Sequence, residues 1–213
     1  MNKKAQFFPL KDENPRERFP FVNLSFIAAN TIVFVISLSS FEQSIDTYGF
    51  KPAEFSILAL LTSMFLHGGI AHIFGNMWFL YIFGDNVEDK FGHFRYILFY
   101  ILAGIAASML HFVLNINSNI PAVGASGAIS GVLGAYIVLF PHAKVYVSGS
   151  FGHVGKVSAV FMLGFWFLFQ LISGAMSLFG AQSGIAFFAH IGGFVFGAAA
   201  AWVYKLTKAE KAA

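Results

Sequence analysis

Residues Ile120 to Tyr136 read IPAVGASGAISGVLGAY, a Pro-containing polar turn that runs straight into an apolar stretch of mostly small residues. No charged side chain lies between Gly124 and Phe140, and the small residues recur with helical spacing. Ser126, Ser130 and Gly134 repeat every four positions, with Gly127, Gly131 and Ala135 beside them. One broad side of such a helix lacks bulk and lets a neighbouring backbone come close. The stretch Gly124 to Phe140 has 17 residues, which at 1.5 Å per residue cover about 25 Å of a ~30 Å hydrocarbon core. Its start is therefore expected below the membrane surface, with the loop Asn115 to Val123 dipping inward to meet it. A backbone can take that course only where protein or water covers it. Ser126 then sits at the mouth of a membrane-embedded helix.

The rest of the chain fits that setting. Of its 213 residues 57% are hydrophobic and 11% charged, against roughly 25% charged in soluble domains. The composition defines a polytopic membrane protein, and the fold class expected is an all-α bundle of six transmembrane helices. Six stretches free of Lys, Arg, Asp and Glu supply the spans: Phe21 to Ser40, Ile57 to Phe83, Tyr96 to Leu114, Gly124 to Phe140, Val157 to Leu178 and Gly184 to Tyr204. The Gly68-Gly69 pair inside the second predicts that its first part is a loop or a short interfacial helix. Residues 1–20, with Pro9, Pro15 and Pro20, read as a mobile cytoplasmic tail in which a continuous helix cannot form. Residues 21–205 read as the membrane domain and 206–213 as a C-terminal tail. Phe41 to Ser56 is expected as a loop and Gly84 to Arg95 as a charged turn.

The 13 Lys and Arg residues are arranged by topology, since twelve fall on one side of the predicted spans and Lys51 alone on the other. Both termini are then cytoplasmic. The net charge of +3 is no nucleic-acid patch, and the lipid bilayer is the partner. With no Cys, thiolate catalysis, disulfides and Cys-ligated zinc are excluded. The orientation makes spans two, four and six enter from the outer face. Their outer ends carry His67, His72, Asn76, Ser126 and His190 at one level.

These residue types suit acyl transfer. A serine hydroxyl needs a general base to become a nucleophile, and ionisable groups at membrane depth tend to be functional. His190, Gly193 and Gly197 stand at i, i+3 and i+7 on one face of span six, matching the small face of span four, so packing the two brings His190 towards Ser126. No Asp or Glu lies within the spans, which predicts a Ser-His dyad whose imidazole is oriented by packing. His72 and Asn76, at i and i+4, share a face and can donate to one developing oxyanion. The backbone N–H of Ser126, at a helix start, is a third donor. The bland alternatives stand beside this reading: Ser126 bonded back to its own helix, His190 a satisfied core histidine, and His72 with Asn76 serving as inter-helix hydrogen bonds. No metal site is expected, because His67 and His72 are five apart and no H-E-x-x-H motif occurs, and no cofactor is expected. Asp12, Asp46, Asp85 and Asp89 all lie outside the spans, so aspartyl intramembrane proteolysis fails.

The motifs occur in the order found in a known family. His67-Gly-Gly-Ile-Ala-His72-Ile-Phe-Gly-Asn76, Gly124-Ala-Ser126-Gly127 and Ala189-His190-Ile-Gly-Gly193, with Gly84, Glu88 and Gly92 between the first two, resemble the rhomboid family of intramembrane serine proteases over roughly Thr62 to Val203. The resemblance implies Ser126 as nucleophile, His190 as base, and His72 and Asn76 as oxyanion-hole side chains. His67 would be structural, as would Gly124, Gly127, Gly193 and Gly197 near the site. It further implies cleavage of transmembrane protein substrates near their outer ends, with access through movement of span five and the loop Phe179 to Ser183, in a bacterial plasma membrane. Two departures are visible: the loop Phe41 to Ser56 lacks the Trp-Arg pair many members carry, and Ser130 stands where some place an aromatic against the catalytic histidine. A non-catalytic relative that binds membrane clients, and a small-solute channel lined by His72, His190 and Asn76, are the other function classes.

Overall fold

In the computed structural model the small-residue stretch folds as a 14-residue helix in which every residue from Gly127 to Tyr136 is buried. A helix that is apolar and covered all round belongs at the centre of a bundle. The structure describes residues 8–148, 154–179 and 184–210. In chain order the elements are strand β1 (Phe8–Asp12), α1 (Phe21–Ser37), α2 (Phe41–Tyr48), α3 (Ile57–Thr62), α4 (Ile70–Phe91), α5 (His93–Leu114), the central α6 (Ser126–Leu139), β2 (Lys144–Ser148), β3 (Val154–Ser158), α7 (Ala159–Leu178) and α8 (Phe187–Glu210). Helices α4, α5, α7 and α8 pack around α6, while α1 lies outside against α4 and α5. Among the described residues, four helical segments are long and apolar enough to cross a membrane alone, and α3 with α4 forms a fifth candidate bent by 87°. The break falls at Leu66 to Gly69, where the glycine pair predicted it, and Gly69 adopts a φ of 155°.

The tightest contact is between α6 and α8. A Cβ on Gly193 would overlap the carbonyl of Gly127, one on Gly197 that of Gly131, and one on Gly134 that of Phe194. Backbone therefore lies directly on backbone, which glycine alone permits here. Against α5, Gly127 and Gly131 face the methyl groups of Ala107 and Ala103, so the central helix is gripped on two sides by small residues.

The charged segment after span two is not a turn. Helix α4 runs on through it to Phe91, and the chain reverses at Gly92, whose φ of 78° favours glycine. Glu88, only 1% exposed, accepts hydrogen bonds from the N–H groups of Val22 (3.0 Å) and Asn23 (2.7 Å). Those are first-turn donors of α1 that no helical carbonyl can reach, and the carboxylate also suits the positive end of the helix dipole. Asn23 completes the joint by donating to the Leu80 carbonyl and accepting from the Tyr96 hydroxyl. The loop expected at Phe41 to Ser56 likewise contains a helix, α2, and a 3₁₀ turn at Pro52–Glu54.

Within the N-terminal segment expected as a mobile tail, Phe8–Asp12 is a strand packed on the rest of the chain. Strand β1 pairs antiparallel with β2, and β2 with β3, giving a three-stranded sheet with β2 in the middle; the fold is mostly helical, in keeping with the all-α class expected, with this one small sheet added. Pro9 is tolerated because β1 lies at the sheet edge, and its carbonyl accepts from the Trp78 indole at 2.8 Å. Arg16 and the Arg18 amide bond Asp85 and Asp89 of α4, Glu13 pairs with Lys156, and the Tyr204 hydroxyl donates to the Lys90 carbonyl. The basic segments that the cation count assigned to one side thus meet at one end of the bundle. The end carrying Ser126 is the other, about 15 Å from Tyr136 along α6.

Tyr136 links the tail to the bundle, donating to Asp12 at 2.7 Å and accepting from Asn14 at 2.7 Å. Burial, with the charge of Asp85 adding to it, pushes the Asp12 carboxyl from 3.8 up to about 6, against the opposing hydrogen bonds of Tyr136 and Asn14. Between those values the folded chain holds a proton that the unfolded chain has released. This group's contribution to stability is complete below about 3.8 and is lost as pH rises through about 6. Asp12→Asn, which keeps an acceptor for Tyr136, is expected to raise the thermal midpoint at neutral pH and to flatten its fall between pH 4 and 6. A variant that tracks the parent at every pH would show that the carboxylate carries no such penalty.

Candidate active site

Each candidate side chain is placed by a local feature of the backbone. Gly124 has a φ of 126°, and a Cβ there would meet the His72 ring at 2.8 Å and Asn76 at 3.5 Å. Its amide donates to the Ser63 carbonyl, and two residues earlier Ala122 pairs with Phe50 through a two-hydrogen-bond bridge. The loop ahead of α6 is thereby pinned, and Ser126 becomes the first residue of the helix. The glycine contact of α8 with α6 sets His190 opposite it. His190 Nε2 lies 2.8 Å from Ser126 Oγ.

His72 accepts the Gly68 N–H on Nδ1 at 3.2 Å, so in the neutral ring Nε2 carries the proton and faces the Gly124 backbone as a donor. Asn76, one turn on, is buried, and its Nδ2 has no hydrogen-bond partner among the described residues. Ser126, His190, His72 and Asn76 line one cavity of about 260 Å³, with Ser130, Trp166 and Phe79 among its other walls. His67 lies apart from it, buried with its ring roughly perpendicular to that of His72, centroids 5.2 Å apart. The remaining small residues, Gly127, Gly193 and Gly197, are the α6–α8 contact itself. The i to i−4 back-bond is made by Ser130, whose hydroxyl donates to the Ser126 carbonyl at 2.6 Å, while the Ser126 hydroxyl meets the histidine.

Two residues at the site went unread in the sequence, both on α7. Gln170, 4% exposed, places Oε1 2.8 Å from His190 Nδ1, and Trp166 lies 5.8 Å from the His190 ring, centroid to centroid. The ring is therefore held by an amide as well as by packing, and the aromatic that Ser130 does not supply comes from α7. The signal was present: Leu163, Trp166, Gln170 and Gly174 form one helical stripe, and Gln170 is the only amide in an otherwise apolar run. No cluster of three or more His, Cys, Asp or Glu suited to a metal occurs among the described residues. Residues 180–183 of the loop implicated in access lie outside the described residues.

Fold and site together define a multi-pass integral membrane protein with a Ser-His contact embedded in a helical bundle. The chain belongs to the rhomboid family: a model of the Rhomboid domain matches residues 54–206. Among its relatives, Rhomboid protease GluP of Bacillus subtilis (strain 168) is 34% identical over 86% of this chain and 35% of that protein. RHOMBOID-like protein 4 of Arabidopsis thaliana is 35% identical over 65% of this chain and 32% of its own length. Inactive RHOMBOID-like protein 8 of the same plant is 31% identical over 65% and 36%. The chain thus spans about a third of the length of these relatives.

Proposed function

We propose that this chain is an intramembrane serine endopeptidase that cleaves transmembrane segments of membrane proteins near their outer ends, with Ser126 as nucleophile and His190 as general base. The observation that carries the reading is the 2.8 Å contact of Ser126 Oγ with His190 Nε2, in a cavity that His72 and Asn76 also line. The Ser126 proton passes to His190 Nε2 as Oγ bonds to the scissile carbonyl carbon. The resulting oxyanion takes hydrogen bonds from His72 Nε2, Asn76 Nδ2 and the Ser126 amide. His190 then hands the proton to the leaving amine, and a water, activated in the same way, releases the acyl-enzyme. The tight α6–α8 contact and the buried backbone around Ser126 support water-poor chemistry in which such donors count for more.

The proposed topology is six spans, with α6 as a short fourth one covered by its neighbours and both termini in the cytoplasm. The convergence of the basic segments at the end of the bundle opposite Ser126 supports it. Residues 21–205 form the membrane domain, and the similarity to the Bacillus subtilis protein supports a bacterial plasma membrane. The alternative is a non-catalytic client-binding protein, which the similarity to a relative named as inactive keeps in view. Incubating the purified protein with a model transmembrane substrate decides between them. Cleavage by the parent and none by Ser126→Ala is expected. A parent that binds the substrate and leaves it intact would move the chain to the client-binding class.

Asn76→Ala tests the oxyanion hole. Its donor acts mainly in the transition state, so kcat should fall by up to about 10²–10³ with KM little changed, and the loss should be partial because His72 and the backbone amide remain. Unchanged kcat with a lower thermal midpoint would make Asn76 an inter-helix hydrogen bond only.

A further inference from the structure

We propose that Gln170 is a positioning residue that selects the tautomer of His190 and so keeps the Nε2 lone pair aimed at Ser126. The inference rests on the reading of Ser126 and His190 as the reacting pair. An amide oxygen has no proton to give, so the 2.8 Å contact of Gln170 Oε1 with His190 Nδ1 requires that Nδ1 carry the ring proton. Nε2 is then unprotonated and accepts the Ser126 hydroxyl at 2.8 Å. Turned the other way, the amide would present its NH₂ group to Nδ1. The ring proton would then sit on Nε2, facing Ser126, where the histidine cannot accept a proton.

Three features hold the selection. Gln170 is 4% exposed, so water hardly competes for its oxygen. One turn earlier Trp166 lies against the same imidazole, which limits rotation of the ring. One turn later Gly174 brings α7 close to α8, where a Cβ would meet Ile191, Phe188 and Phe187 at 3.3–3.4 Å. In the forward step the Ser126 proton joins Nε2 while the O–H electron pair stays on Oγ to form the bond to carbon. The ring becomes a cation with two N–H groups, one still donated to Gln170. When Nε2 gives its proton to the leaving amine, the Gln170 bond returns the ring to the tautomer it started from. The amide therefore does the orienting part of what a carboxylate does in a Ser-His-Asp triad, without placing a second charge in the membrane.

Gln170→Met keeps the length and apolar bulk but removes the acceptor, whereas Gln170→Glu restores one. Histidine-¹⁵N NMR of the purified full chain, with the His190 signal identified by its absence in His190→Ala, reads the tautomer without any need for activity. Labelling by a serine-reactive phosphonate reads the nucleophile. The parent should show a neutral His190 protonated on Nδ1. Gln170→Met should show a mixture of tautomers with labelling slowed about tenfold, the scale of one lost hydrogen bond, and Gln170→Glu should recover the Nδ1–H form and labelling well above that of Gln170→Met. A parent protonated on Nε2, or a Gln170→Met chain with an unchanged tautomer, overturns the proposal, even if labelling falls. A parent with the Nδ1–H tautomer that takes no label leaves Gln170 as the positioning residue and removes the protease reading instead.

Discussion

Gly193→Leu and Gly197→Leu are each expected to lose nearly all activity and to lower the thermal midpoint sharply. At both positions even a Cβ would run into a backbone carbonyl of α6, Gly127 in the first case and Gly131 in the second. A carbonyl inside a helix cannot swing aside as a flexible side chain can, so the helices must separate. Overpacking a close-packed interior costs typically ~1–3 kcal/mol and more where nothing yields. The separation also moves His190 from Ser126, and a misplacement of about 1 Å in a reacting pair can cost ~10² in rate. Gly164→Ala is the control, because a Cβ there meets nothing within 4 Å and replaces a poor helix former with a good one; it should cleave like the parent. Substrate cleavage by both leucine variants at the parental rate would show that the α6–α8 contact does not set the site.

Ser126→Ala should abolish turnover, and His190→Ala should reduce it by several orders of magnitude, since a serine without its base is a poor nucleophile. Ser130→Ala separates the two serines. Its hydroxyl back-bonds to the Ser126 carbonyl, so its removal should leave most of the rate. Activity should rise with pH through the titration of His190, because only the neutral ring takes a proton.

Much of this arrangement was legible in the sequence because packing and chemistry imposed the same spacing. Gly127, Gly131, Gly193 and Gly197 are small where backbones touch, and the same periodicity carries Ser126 and His190 to one level. The break in span two was legible from Gly68-Gly69, since paired glycines interrupt a helix that is otherwise apolar. The charged run Asp85 to Lys90 misled because charge density reads as solvent exposure, whereas Glu88 is buried to cap another helix. Strand β1 was invisible because Phe8 to Asp12 carries no alternation and includes a proline; its register comes from β2, whose Val145 and Val147 are buried on one face. Gln170 was passed over because an isolated polar side chain in a span gives no partner until the facing helix is known.

The most direct test of the central claim is covalent labelling of the folded chain by a serine-reactive phosphonate, with the modified residue located by mass spectrometry. The modification should fall on Ser126 alone, vanish in Ser126→Ala, drop sharply in His190→Ala and persist in Ser130→Ala. Folded protein that takes no label on Ser126 at any pH from mildly acidic to alkaline would contradict the assignment of Ser126 and His190 as a catalytic pair.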